Sequence, residues 1–153
     1  VGKIQIVNTV LFLCSGNYYR SRFAEILFNQ LAQENDLAWR ADSRGIVAQW
    51  SHNPGPISQE ALRGLAQRGI SHRAARYPMQ LTEQDLADAA HVFALYEIEH
   101  RGMLDAYFPD WTERVTYWQV PDLGEMDSDT ALALIEHNVR SLVQELARVT
   151  ISI

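Results

Sequence analysis

The stretch Thr9-Val10-Leu11-Phe12-Leu13-Cys14-Ser15-Gly16-Asn17-Tyr18-Tyr19-Arg20-Ser21 carries an apolar run into a polar turn and then into a helical pattern. Residues 9–13 are strand-sized, aliphatic and aromatic, with no polar alternation, which predicts a strand buried on both faces. Over residues 21–34, Phe23, Ala24, Leu27, Phe28 and Leu31 recur at helical spacing, so the turn joins a buried strand to an amphipathic helix. Working outward, residues 38–42, 91–95 and 114–118 read as further strands. Residues 58–68 read as a helix with Ser58 as N-cap and Gly69 as its stop. Thr82 with Asp85 makes a capping box, and residues 97–104 form a short helix. Asp127 or Asp129 caps a last helix carrying Leu132, Ile135, Val139, Leu142, Val143 and Leu146.

This alternation predicts one α/β domain over residues 1–153: three layers, a mostly parallel four-stranded sheet, helices on both faces. Ligands bind such sheets beyond the carboxyl ends of the strands. Two segments are expected there, residues 14–21 after the first strand and residues 120–129 after the last.

Composition narrows the chemistry. The chain has 153 residues, 47% hydrophobic and 21% charged, which suits one globular domain and excludes intrinsic disorder. No apolar run approaches the roughly 20 residues of a membrane span, and none reads as a secretory leader. Cytoplasmic residence is the expectation. Thirteen Lys+Arg face nineteen Asp+Glu for a net charge of −6, which argues against a broad grip on nucleic acid or an anionic membrane. Any anion site must be local. A single cysteine excludes a disulfide framework and a Cys-rich zinc site, and leaves Cys14 either an inert core thiol or a reactive one.

The surroundings of Cys14 favour the reactive reading. A short loop entering a helix can turn consecutive N–H groups inward as an anion nest, at the positive end of the helix dipole. That field and a nearby guanidinium favour thiolate over thiol. Arg20 can hold two phosphate oxygens bidentately, as a lysine could not. Gly16 and Asn17 both tolerate the positive φ of a tight cradle. Ser21, at the helix start, can donate a hydrogen bond to the thiolate and make it a better leaving group. Elsewhere, Arg22 is either a solvated charge or a contributor to the local field, and Glu97, Glu99 and His100 read as a solvated helix start.

With these residues in this setting, the chain resembles the low-molecular-weight protein tyrosine phosphatases, whose loop reads C-x5-R-S after the first strand. The likeness covers most of the chain. Val10 to Cys14 with Gly16-Asn17, then Arg20-Ser21 and Ala24-Glu25, match the family's opening. Asp42-Ser43, Asn53-Pro54, Arg68-Gly69-Ile70, Gln80-Leu81-Thr82 with Asp85, and Val120-Pro121-Asp122 follow in family order. The resemblance implies a metal-independent, cofactor-free phosphomonoesterase, a protein-tyrosine phosphatase. Cys14 would be its nucleophile, Asp122 its general acid, and Arg20 the oxyanion ligand. Ser15, Gly16, Asn17, Tyr18, Tyr19 and Ser21 would line or hold the phosphate loop, and Ser43 and His72 would support it. The implied partner is a phosphomonoester, a phosphotyrosine protein among them, with phosphate or other oxyanions at the loop. A small-molecule phosphatase and a phosphate-recognition module without turnover stay open. Arsenate reduction does not fit, because a one-cysteine chain cannot run the electron relay alone.

Three departures mark the chain. Tyr19 stands where the family usually has a second cysteine, Arg22 replaces a proline, and Asp122 is followed by Leu123-Gly124-Glu125 rather than by proline and a tyrosine pair. Tyr18, Trp50 or Gln49 could supply a different cleft wall.

Overall fold

Strand β1 (Asn8–Cys14) is the axis of the sheet. Its side chains alternate between two cores: Val10 and Phe12 pack on one side, Leu11 and Leu13 on the other. That is why the segment is apolar at consecutive positions. The structure is a computed structural model that describes residues 7–72 and 76–151; the two ends of the domain expected over 1–153 lie outside them. Strand β2 (Trp39–Gly45) pairs with one edge of β1 and β3 (His91–Ala94) with the other, both parallel. The two-residue β4 (Thr116–Tyr117) joins β3, also in parallel, giving the order β2-β1-β3-β4. Among the described residues, therefore, every strand pair in the sheet is parallel.

Helices α1 (Arg20–Glu34), α2 (Gln59–Gln67) and α5 (Ser128–Ile151) cover the Phe12 face, through Phe23 and Leu27, Ala61 and Leu65, and Ile135 and Val139. Helices α3 (Glu83–Asp88) and α4 (Glu97–Tyr107) cover the Leu13 face, through Leu86 and Leu104. No described helix is long and apolar enough to cross a membrane. The caps are as read: Ser58 Oγ accepts from the Ala61 amide, and Thr82 and Asp85 bond reciprocally. Asp127 caps α5, accepting from both the amide and the hydroxyl of Thr130.

Several boundaries differ from the sequence expectation for tertiary reasons. β2 runs to Gly45 rather than residue 42, because Asp42, Ser43 and Arg44 direct their polarity into ion pairs and hydrogen bonds instead of solvent. β4 is shorter than residues 114–118, since Pro109–Arg114 is drawn into 3-10 turns. α4 continues past Leu104 to Tyr107.

The chain passes from β1 to β2 on one side and later crosses to β3 on the other. The strand order therefore reverses at β1, and the crevice of the switch point opens at its carboxyl end, at Cys14. Gly45 closes the adjacent strand against that crevice. A methyl there would sit 2.8 Å from the Ser15 carbonyl oxygen and 2.9 Å from the Asn17 amide nitrogen, neither of which can yield without moving the loop. Gly45→Ala is expected to lose about 1–3 kcal/mol of stability. Calorimetry should read this as a fall of about 2–4 °C in melting temperature per kcal/mol.

Candidate active site

The loop from Cys14 to Arg20 hangs between β1 and α1, and one side chain sets its shape. Asn17 is fully buried and has φ of 55°, the left-handed region. Asparagine is one of the few non-glycine residues that visits this region readily. Its Nδ2 donates to Ser21 Oγ and Ser43 Oγ, both at 2.9 Å. Its Oδ1 accepts from Arg76 Nη1 at 3.1 Å and from the Met79 amide at 3.0 Å. Both donors and both acceptor positions of the amide are thus used. Gly16, by contrast, is not in the positive-φ region. Its lack of a side chain matters for space, since a methyl there would meet Asn53 Nδ2 at 2.8 Å.

Cys14 Sγ lies 2.9 Å from Ser21 Oγ. Because Ser21 Oγ already accepts from Asn17, its proton is free to be donated to sulfur. The contacts run Asn17 to Ser21 to Cys14, an order in which the Ser21 hydroxyl can donate to sulfur. Arg20, also buried, donates from Nη1 to the Val120 carbonyl at 2.9 Å and from Nη2 to Glu99 Oε2 at 2.8 Å. Burial works against its charge, but the Cys14, Glu99 and Asp122 charges outweigh burial and push its pKa up. No described side chain caps α1, so its first amides open toward the loop.

A cavity of about 230 Å³ joins Cys14, Arg20, Tyr18, Tyr19, Asn53 and Asp122. The Asp122 carboxylate is 57% exposed and stands 3.7 Å from Arg20 Nη2. Asp127 is engaged in capping α5, and the Thr130 hydrogen bonds hold its carboxyl below the usual range. Of Asp122, Asp127 and Asp129, Asp122 is the one that lines the cavity with Cys14. Tyr18 donates to the Pro54 carbonyl at 2.6 Å and forms one wall. Tyr19 turns into the core, where burial pushes its phenol up to about 12. Trp50 and Gln49 are not part of this wall: with Tyr107 they line a separate groove, the Trp50 and Tyr107 rings tilted by 32° with centroids 5.1 Å apart.

The loop is held by Ser43 together with residues to which the sequence reading gave no such role. Ser43 Oγ receives Asn17 Nδ2 and Arg76 Nη2 and donates to Glu25. Arg76 bonds Asn17, Ser43 and Glu25 together, while His72 is half-buried nearby in sequence. Arg22 is neither solvated nor aimed at the cavity. It is 1% exposed, donates to the carbonyls of Pro56 and Arg76, and lies 3.4 Å from Glu25; burial pushes its pKa down. Glu99 and His100 are not a solvated helix start either. Glu99 accepts from Arg20 and Ser15, and His100 is fully buried beside it. Burial pushes the Glu99 pKa up, but the His100 and Ser15 hydrogen bonds and the Arg20 charge prevail and hold it well below the carboxylate range. The missed signal was topological: β3 neighbours β1, so the first turn of α4 starts at the same sheet edge as Cys14.

A sequence profile of the family described as low molecular weight phosphotyrosine protein phosphatase matches residues 9–150. The chain is 38% identical over 101 residues to low molecular weight protein-tyrosine-phosphatase YfkJ of Bacillus subtilis, covering 63% of this chain and 60% of that protein. It is 29% identical over 106 residues to a protein-arginine-phosphatase of the same organism, covering 69% and 67%. The matched region thus spans about three-fifths to two-thirds of these relatives. The crystal structure of YfkJ superposes with a TM-score of 0.77 at 26% identity, over 94% of this chain and 97% of that one.

Asn17→Ala removes four buried hydrogen bonds worth about 0.5–1.5 kcal/mol each and adds left-handed strain of about 1–2 kcal/mol. Denaturant unfolding should show a loss of at least about 2 kcal/mol. Asn17→Gly, which relieves the strain, should lose less.

Proposed function

The chain belongs to the low molecular weight phosphotyrosine protein phosphatase family, and from that premise we propose that it hydrolyses phosphomonoesters through a phosphocysteine. The observation that carries this reading is the single cavity in which Cys14, Arg20 and Asp122 meet, with Ser21 poised 2.9 Å from the sulfur. In the first step Cys14 thiolate attacks phosphorus, the bond to the leaving oxygen breaks, and Asp122 delivers its proton to that oxygen. In the second, water attacks phosphorus, Asp122 takes the water's proton, and the thiolate leaves, its charge met by the Ser21 hydroxyl. Arg20 and the loop amides hold the remaining phosphoryl oxygens throughout. The substrate proposed is a phosphotyrosine side chain, whose ring would stand against Tyr18.

One observation favours a second reading of the substrate. Glu60 lines the cavity along with Asp122, and Arg20 is the one cation among the lining residues. Two carboxylates beside the phosphate suit a cationic leaving group, such as the guanidino nitrogen of phosphoarginine.

Single-turnover hydrolysis of p-nitrophenyl phosphate in EDTA, quenched in acid, should trap a phosphoenzyme in the wild type and none in Cys14→Ala, which has no nucleophilic atom at that position. Asp122→Asn should slow phenyl phosphate by about 100-fold or more and p-nitrophenyl phosphate far less, whereas Asp127→Ala should spare both. No burst, with phosphate still bound, would make the loop a recognition module. Phosphotyrosine and phosphoarginine peptides, assayed side by side, decide the substrate.

A further inference from the structure

The arginine of an oxyanion cradle has to be aimed before substrate arrives, or binding must supply the ordering. Here the aiming comes from α4, outside the phosphate loop. Glu99 Oε2 receives Arg20 Nη2 at 2.8 Å, His100 Nε2 at 2.9 Å and the Ser15 hydroxyl. With the Val120 carbonyl on Nη1, both ends of the guanidinium are fixed by protein acceptors, and the other N–H groups remain for an oxyanion.

The ring of His100 has one possible tautomer in this arrangement. The Tyr96 amide can only donate, and it reaches Nδ1 at 3.0 Å, so Nδ1 is the acceptor and the proton sits on Nε2. That Nε2–H faces Glu99 and, at 3.2 Å, Ser15 Oγ. His100 is fully buried, which favours the neutral ring. Asp122 is the weaker candidate for holding Arg20, being mostly exposed and 3.7 Å away.

The geometry points to Glu99 as the positioning residue of Arg20, with neutral His100 clamping Glu99 and Ser15 so that the guanidinium is set for phosphate in the empty enzyme. This rests on the reading of Arg20 as the oxyanion ligand. Glu99 does two separable things. Its oxygen orients the guanidinium, and its charge competes with the phosphate for the same cation. Removing the oxygen should weaken anion binding, whereas removing only the charge should not.

The test measures orthovanadate affinity by tryptophan fluorescence in chelator-free buffer, together with kcat/KM on p-nitrophenyl phosphate and on phenyl phosphate. Glu99→Ala should lose at least fivefold in vanadate affinity and in kcat/KM, with the ratio between the two substrates unchanged because Asp122 is untouched. Glu99→Gln, which keeps an acceptor oxygen, should bind vanadate at least as tightly as the wild type. His100→Phe, which removes the clamp, should follow Glu99→Ala, and it is read in its place if that variant does not fold. A smaller loss in Glu99→Ala, or an equal loss in Glu99→Gln, overturns the inference while leaving the phosphatase reading intact. A wild type that binds vanadate without turnover leaves the affinities to decide. A wild type that does neither overturns both readings.

Discussion

A buried asparagine held in a left-handed conformation is the constraint on which the rest of the site depends. Asn17 costs strain in φ and desolvation of a primary amide, and both are offset only because all of its polar capacity is met. Its four partners come from α1, β2 and the segment around residues 76–79, so the loop takes this shape only when the sheet edge and that segment are already in place. The chemistry then follows from the bonding order. Asn17 donates to Ser21, and the Ser21 hydroxyl can in turn donate to the Cys14 sulfur 2.9 Å away.

Charge is handled locally, which reconciles an acidic chain with an anion site. Arg20 is matched by Glu99, while Arg22 and Arg76 share Glu25, and Arg76 also approaches Asp42 at 3.7 Å. Buried ion pairs like these contribute little net stability once desolvation is counted, yet breaking one leaves an uncompensated charge. Their value here is geometric. Arg22 shows the limit of that economy: its Nε has no hydrogen-bond partner, and its charge rests on Glu25 and on two backbone carbonyls that accept from Nη1.

Where signals are local, the sequence was enough. β1 announces itself by consecutive apolar residues, α2 by Ser58 and Gly69, α3 by its capping box, and the order of these elements leads to the sheet and to Cys14 at its switch point. The side chains that act across the sheet carry no such signal. Glu99 and His100 look like any acidic first turn until β3 is placed beside β1, and Arg76 looks like a loop cation until its reach to Asn17 and Ser43 is seen. Even β2 was read short, because Asp42, Ser43 and Arg44 break the apolar pattern at the positions where the strand enters the site. Polar residues in a strand near a switch point satisfy the site, and a pattern tuned to solvent and core cannot distinguish them from a loop.

The same division separates a rigid half of the site from an adaptable one. Cys14, Asn17, Arg20 and Ser21 are buried and tied to one another or to buried partners, as preorganised electrostatic stabilisation requires. Asp122 is exposed on a turn closed mainly by its own backbone, with the Glu125 and Met126 amides donating to the Asp122 carbonyl. A side-chain hydrogen bond from the Tyr96 hydroxyl to Glu125 at 3.0 Å ties that turn back to the sheet edge. On the proposed reading, phosphate would meet the rigid half and the leaving group would meet the turn. Leu123, which stands where the family has proline, lines the cavity beside Asp122. On the proposed reading, divergence there would alter which leaving group is accepted, while Cys14, Arg20 and Ser21 keep the family's pattern.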